Sequence, residues 1–280
     1  MTKVVILGTT GMLGSMLLDV FSDSSTIAIK GTRRNELDVQ SADVASIERV
    51  LKGCDYAINC IGIIKPYIHD DNSFEVQRAI EVNGLFPHRL AQAAKNTGTK
   101  IVQIATDCVY DGVRGSYIET DKHYATDVYG KTKSLGEVCE DNFLNLRCSI
   151  IGKELKGKTS LLEWFLNQPE NASVNGFLNH QWNGVTTLAF AKICLGIVQN
   201  DAFFNGLQHI VPTDTMNKSD MLQDFAQVFD RQDIQITPIE VEEAIDRTLL
   251  TMNKECNEKL WQLGGYDKIP TIKEMVVEIR

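Results

Sequence analysis

Seven cysteines are present but no Cys-x-x-Cys pair, and five histidines but no His-x-x-x-His spacing. These absences remove the usual frameworks for structural zinc. The cysteines (Cys54, Cys60, Cys108, Cys139, Cys148, Cys194, Cys256) are odd in number and scattered, so most read as reduced core residues. There is no Gly-x-Ser-x-Gly elbow and no histidine-based triad, which argues against a hydrolase. No stretch approaches the roughly 20 apolar residues of a membrane helix. The apolar run after Lys3 is too short for a signal-peptide core, so a cytoplasmic protein is expected. Prolines number only six and no low-complexity tract occurs, so no long disordered segment is expected. Basic residues are the minority, 28 against 37 acidic, for a net charge of -9. A nucleic-acid binder needs a basic face. Any anionic ligand must therefore be held by local donors.

What remains is ordinary soluble composition, 43% apolar and 23% charged over 280 residues. That length fits one large domain, or a large one with a smaller companion. Lys3–Leu7 reads as a buried strand, a glycine loop follows, and Met12–Phe21 has helical spacing. Alternation continues: a strand at Thr26–Lys30, then a helix capped by Ser41 and carrying Val44, Ile47, Val50 and Leu51. A strand at Tyr56–Ile61 precedes a long helix at Phe74–Lys95 and a strand at Ile101–Ala105. A helix at Lys131–Glu140 and a strand at Phe143–Leu146 complete this half. Near-continuous apolar strands between helices predict an α/β fold, a doubly wound parallel sheet of Rossmann type. Residues 1–152 would form the cofactor-binding domain and residues 153–280 a smaller C-terminal substrate lobe, with elements returning to the main sheet. Helices are expected there at Leu161–Asn167, Leu188–Gln199 and Lys218–Phe229, and strands at Gln208–Val211 and Ile234–Thr237.

Gly8-Thr9-Thr10-Gly11-Met12-Leu13-Gly14 places glycines at i, i+3 and i+6 between the first strand and first helix. A tight turn, close backbone approach to a pyrophosphate and helix–sheet packing each favour glycine there. Free N–H groups at the helix start suit phosphate. The second strand ends in Lys30-Gly31-Thr32-Arg33-Arg34, without an acidic residue to hold a ribose 2′-hydroxyl. Arg33 and Arg34 suit a 2′-phosphate, so NADP(H) is preferred over NAD(H). Asp38 and Val39 follow, and Asp38 is placed to accept from the adenine amino group. Surface charge and a simple turn are the plainer readings of these residues.

Tyr129-Gly130-Lys131-Thr132-Lys133 is the chain's single Tyr-x-x-x-Lys, and it puts Tyr129 and Lys133 on one helical face. A nearby ammonium steadies a phenolate, so the phenol can give a proton to a ketone oxygen as hydride arrives. The fourth strand ends at Ala105-Thr106-Asp107, bringing the Thr106 hydroxyl to the same carbonyl.

Together these residues resemble the extended short-chain dehydrogenase/reductase superfamily. The segments Thr106-Asp107-Cys108-Val109-Tyr110-Asp111-Gly112 and Tyr129–Glu137 are similar to those of the dTDP-4-dehydrorhamnose reductase family. Glu81-Val82-Asn83 and Leu146–Gly152 carry the resemblance further, more thinly towards the C-terminus. The resemblance implies Tyr129 as general acid, Lys133 on the nicotinamide ribose, and Thr106 orienting the substrate carbonyl. It implies Asn83 as a supporting site residue and Cys60-Ile61-Gly62 beside the cofactor. The Trp182–Thr187 segment resembles the family's substrate-lobe segment with Thr186 in place of the usual proline; Asp107, Asn183 and Trp182 are candidate substrate contacts, Asn183 facing the sugar and Trp182 stacking on the nucleotide base or packing in the core. Lys65, Arg114, Lys153, Lys156, Lys158 and Arg247 are candidate pyrophosphate donors, and His180 a candidate sugar neighbour. No metal ligand set is expected.

The implied reaction is NADPH-dependent reduction of a nucleotide-diphosphate 4-keto-6-deoxysugar, feeding a surface glycan. Dehydratases carry an Asp-Glu pair after the threonine, whereas here Cys108 follows Asp107. An epimerase and a non-catalytic NADP-binding regulatory subunit stay open. Expected partners are a nucleotide sugar and a second copy of the chain as a homodimer, with neither nucleic acid nor membrane.

Overall fold

The computed structural model describes residues 1–280. The apolar run after Lys3 forms β1 (Thr2–Leu7), whose last four residues are all buried. A turn leads into α1 (Met12–Ser22), which buries Leu13, Leu17 and Phe21. Next come β2 (Ile27–Thr32), α2 (Val44–Leu51), β3 (Tyr56–Asn59), α3 (Ser73–Ala79), α4 (Phe86–Thr97), β4 (Lys100–Ala105), α5 (Val128–Leu135) and β5 (Phe143–Arg147). The second half adds β6 (Ile150–Ile151), α6 (Leu161–Leu166), β7 (Ser173–Phe177), β8 (His180–Trp182), β9 (Val185–Thr186), α7 (Thr187–Gln199) and β10 (Gly206–His209). It ends with β11 (Met216–Asn217), α8 (Lys218–Val228), β12 (Gln235–Ile239), β13 (Ile245–Asp246), α9 (Lys254–Leu263) and α10 (Ile272–Glu278).

Six strands form the central sheet in the order β10-β5-β4-β3-β1-β2, and every neighbouring pair is parallel. Successive side chains of a strand point to opposite faces. In β1, Val4 and Ile6 join one core with Leu17 and Phe21, while Val5 and Leu7 join another with Ile47 and Leu51. Both faces are therefore covered, as the continuous apolar strands require. From β1 the sheet grows one way to β2 and the other way through β3. At such a reversal, ligand crevices open beyond the carboxyl ends of the strands.

The second half contributes to the same sheet. β10 pairs with β5, and α7 packs against α1. Its other strands form small sheets, β11-β8-β13, β7 with β12, and β6 with β9.

Three local expectations are corrected. Asp43, not Ser41, caps α2: its Oδ1 accepts from the Ser46 amide at 2.8 Å. The helix expected over Phe74–Lys95 is interrupted by a π-helical stretch, Ile80–Leu85, where buried Asn83 is pulled into cross-links. The helix expected over Lys131–Glu140 spans Val128–Leu135 instead: it begins early because Asp127 accepts from the Gly130 amide at 2.8 Å, and it stops at Gly136, which packs so tightly on the Asn83 carbonyl that no side chain fits there. No helix is long and apolar enough to cross a membrane.

Candidate active site

The turn after β1 is shaped by close backbone packing. Gly8 has a φ of +88°, a left-handed conformation that side chains disfavour. A Cβ on Gly14 would lie 2.2 Å from the Gly8 carbonyl oxygen, so α1 presses directly on the turn. Gly11 differs: a Cβ there meets nothing nearer than the Gly8 oxygen at 3.6 Å. Its side faces open space, and Thr10, Gly11, Met12 and Leu13 line a cleft of about 490 Å³. Gly11 is the N-cap of α1 and no side chain caps that helix start. Its first N–H groups are unspent and carry the positive end of the helix dipole. This is a cradle that fits a phosphate.

The opposite wall comes from β4 and α5. A Cβ on Gly130 would fall 2.2 Å from the Cys108 carbonyl oxygen, so the first turn of α5 sits against the segment after β4. Thr106, Asp107, Tyr129 and Lys133 thereby line one cleft. The Thr106 hydroxyl accepts from the Cys108 amide at 3.2 Å and donates to Asp107 Oδ1 at 3.2 Å. Lys133 Nζ donates to the Ile104 carbonyl at 3.2 Å, tying α5 to β4.

Burial dominates the electrostatics here. It pushes the Tyr129 phenol well above its ordinary range, with Cys108 adding to the effect and the Thr106 side chain opposing it. It pushes the Lys133 ammonium down, against the attraction of Glu137. It raises the Asp107 carboxyl, while Arg247, Thr106 and Lys218 pull it back. The Tyr129 phenol is thus held in its neutral form.

Cys60, Ile61, Gly62 and Trp182 also line the cleft. Gly8 and Gly14 build its turn from behind. Arg33 and Arg34 are exposed at the end of β2, outside the cleft lining. Asp38 is spent on Arg34 at 3.7 Å and on the Gln40 amide at 3.3 Å. Val39 is buried in the core beside Leu37, not facing the cleft.

Two asparagines are spent on distant backbone. Asn83 Oδ1 accepts from the Ile63 amide at 2.8 Å, and its Nδ2 donates to the Ile63 carbonyl at 2.9 Å. It does not line the cleft itself but holds the cleft-lining loop after β3 from behind. Asn183 is likewise spent on the Leu249 backbone, accepting at 2.8 Å and donating at 2.7 Å.

Most candidate pyrophosphate donors are also engaged. Lys65 lines the cleft but pairs with Asp127 at 2.7 Å. Arg114 pairs with Asp121, Lys153 donates to the Arg280 carbonyl at 2.7 Å, and Arg247 donates to the Tyr110 carbonyl at 3.0 Å. Lys156 lines the cleft and is exposed, and Lys158 is exposed outside it. His180 lies at the Glu243 carbonyl, 3.1 Å away. No cluster of His, Cys, Asp and Glu gathers in a form that could hold a metal ion.

Lys218, at the first position of α8, lines the cleft and escaped the sequence reading. A lysine at a helix start looks solvated, and only the tertiary fold brings it beside Trp182 and Asp107.

Comparison with known proteins agrees with this architecture. A family model described as the RmlD substrate binding domain matches residues 1–279. A dTDP-4-dehydrorhamnose reductase of Aggregatibacter actinomycetemcomitans is 33% identical over 139 residues, 49% of this chain and 46% of that protein. The chain thus matches about half the length of such curated relatives. A methionine adenosyltransferase 2 subunit beta of Xenopus tropicalis is 22% identical over 96% of this chain and 84% of its own. The solved dTDP-4-dehydrorhamnose reductase of Bacillus anthracis, in complex with NADP, superposes with a TM-score of 0.78. It covers 100% of this chain and 99% of its own at 18% identity, a likeness of fold.

Proposed function

Because the chain belongs to the RmlD substrate binding domain family, we propose that it is an NADPH-dependent reductase of a nucleotide-diphosphate 4-keto-6-deoxysugar. The observation that carries this reading is a juxtaposition. Tyr129, Lys133 and Thr106 face the same cleft as the open Gly11 turn.

The N–H groups at the start of α1 would hold the cofactor's pyrophosphate, with Cys60–Gly62 alongside and Lys133 on the ribose. Arg33 and Arg34 would distinguish NADPH from NADH at the end of β2. When bound, the reduced nicotinamide supplies a hydride to the substrate carbonyl carbon. Tyr129 holds the proton that the carbonyl oxygen needs, since burial keeps the phenol neutral until charge develops on that oxygen. On substrate binding the Thr106 hydroxyl proton would turn from Asp107 Oδ1 to the same oxygen and fix the carbonyl's direction. Lys133, beside Tyr129 on α5, stabilises the phenolate that remains. The protein would act in the cytoplasm, its product would go on to feed a surface glycan, and a homodimer is the assembly to look for.

The test is NADPH oxidation at 340 nm against a panel of 4-keto-6-deoxy nucleotide sugars. Turnover by the wild type, lost by roughly 100-fold or more in Tyr129→Phe with NADPH binding retained, supports the reading. Equal rates in the two proteins reject the acid assignment.

A second reading is favoured by one observation: the match to the beta subunit runs over 96% of the chain, while the reductase match covers 49%. On that reading the chain binds NADPH as a regulatory subunit and oxidises none of it with any keto sugar.

A further inference from the structure

Lys218 is the one half-buried cation of the cleft with no hydrogen-bond or ion-pair partner. Its Nζ stands 5.3 Å from the centre of the Trp182 ring, in the cleft that Asp107 also lines. Lys133, the other buried ammonium of the cleft, is committed to the Ile104 carbonyl. Burial lowers Lys218 to about 8, with Asp107 and Cys108 holding it up. Asp107 feels Lys218 in return. Lys218 and Asp107 thus line the same cleft and feel each other's charge without forming an ion pair, and each keeps capacity for a further partner.

Two kinds of group could enter between them. An anion would suit Lys218 but would meet the Asp107 carboxylate. The start of α8 does not favour an anion either. Asn217 Oδ1 accepts from the Asp220 amide at 2.9 Å, and the Asp220 carboxylate already sits in the first turn, accepting from Asn217 Nδ2 at 2.8 Å. A hydroxyl satisfies both sides, because it accepts and donates at once. The Trp182 ring beside the ammonium offers an apolar surface of the kind that sugar C–H faces pack on.

We propose that Lys218 and Asp107 hold a single sugar hydroxyl between them, Lys218 donating to its oxygen and Asp107 accepting from its O–H. This rests on the reductase reading, which puts the C4 carbonyl at Tyr129 and Thr106. Asp107 directly follows Thr106 and is hydrogen-bonded to it. The hydroxyl nearest that carbonyl is the one on C3, since C5 carries the 6-deoxy methyl. The clamp thus selects a sugar with a free C3 hydroxyl and positions its C4 carbon.

The experiment is calorimetric binding of dTDP-rhamnose, its 3-deoxy analogue and dTDP alone to wild type and Lys218→Met, with NADPH bound. Retained NADPH affinity shows that the variant is folded. A charged hydrogen bond of this kind is worth roughly 10- to 100-fold in affinity. The variant should lose that factor for dTDP-rhamnose and nothing for the 3-deoxy analogue or dTDP. Equal affinity of both proteins for dTDP-rhamnose overturns the clamp. So does an equal loss for all three ligands, which would place Lys218 on the diphosphate. If wild type binds NADPH but none of the three, the nucleotide-sugar reading falls and the clamp with it.

Discussion

Arg147 donates to both oxygens of the Glu137 carboxylate, from Nε at 3.0 Å and from Nη2, while exposing none of its side chain. Arg147 ends β5 beneath the cleft. Its Nη1 also donates to the Tyr110 hydroxyl, and its guanidinium touches His209 and His123. Glu137 lies four residues after Lys133 and supports that ammonium electrostatically. One carboxylate therefore balances a fully buried guanidinium and acts on the lysine of the cleft.

Glu137→Gln should destabilise the protein by about 3–5 kcal/mol, because it leaves a buried charge uncompensated. Urea unfolding of wild type and variant measures this. An unchanged midpoint would mean that Tyr110 and the histidines alone satisfy Arg147.

The glycines of the first turn should separate stability from binding. Gly14→Ala drives a Cβ to 2.2 Å from the Gly8 oxygen and should cost about 1–3 kcal/mol through forced backbone movement. Gly11→Ala meets open space, so its melting temperature should stay near wild type while NADPH affinity falls. Melting curves and cofactor titration of both variants check the contrast; a Gly11→Ala protein that binds NADPH normally would empty the cradle of meaning.

Replacing Arg33 and Arg34 by alanine should weaken NADPH roughly 10-fold or more relative to NADH, since a guanidinium binds phosphate through paired hydrogen bonds. Both residues are exposed, so stability should hardly change. The ratio of the two dissociation constants is the readout, and an unchanged ratio removes these arginines from phosphate recognition.

His209 should make stability depend on pH. Its Nδ1 faces the Leu250 carbonyl at 2.6 Å and its Nε2 faces Arg147 at 2.9 Å. The carbonyl requires a donor and the guanidinium an acceptor, so the ring is neutral. Burial, then Arg147, lower its pKa to about 4 from 6.5. Below pH 6.5 the unfolded chain takes up a proton that the folded one refuses until near pH 4. Stability from this group is complete above about pH 6.5 and falls by about 3 kcal/mol as pH drops towards 4. Unfolding free energies at pH 7.5 and 5 should show the decline, and His209→Gln should flatten it.

The central sheet was legible because parallel strands buried on both faces leave continuous apolar runs. The Tyr129–Lys133 pair was legible because helical period alone puts the two on one face. The place of Asn183 was not: an asparagine that clamps a distant backbone looks the same in sequence as one that contacts a ligand. The π-helical stretch at Ile80–Leu85 was hidden too, since an extra residue in one turn barely disturbs an apolar period. Ser41 and Asp43 are both good caps, and the choice fell to Asp43 through its contact with Ser46. Lys218 and Arg147 owe their burial to segments far away in the chain, which no local pattern records.

The place of β10 bears on how the protein is made. Gly206–His209 completes the sheet beside β5, and α7 covers α1, yet both are synthesised long after the strands and helices they protect. While the chain emerges, β5 presents an unpaired edge and α1 an uncovered apolar face, the surfaces through which nascent proteins aggregate. A fragment ending near residue 152 would keep that condition permanently. Severing the front half to obtain a minimal nucleotide-binding module should therefore yield insoluble material, and expression of the full chain should depend on how quickly its later part arrives.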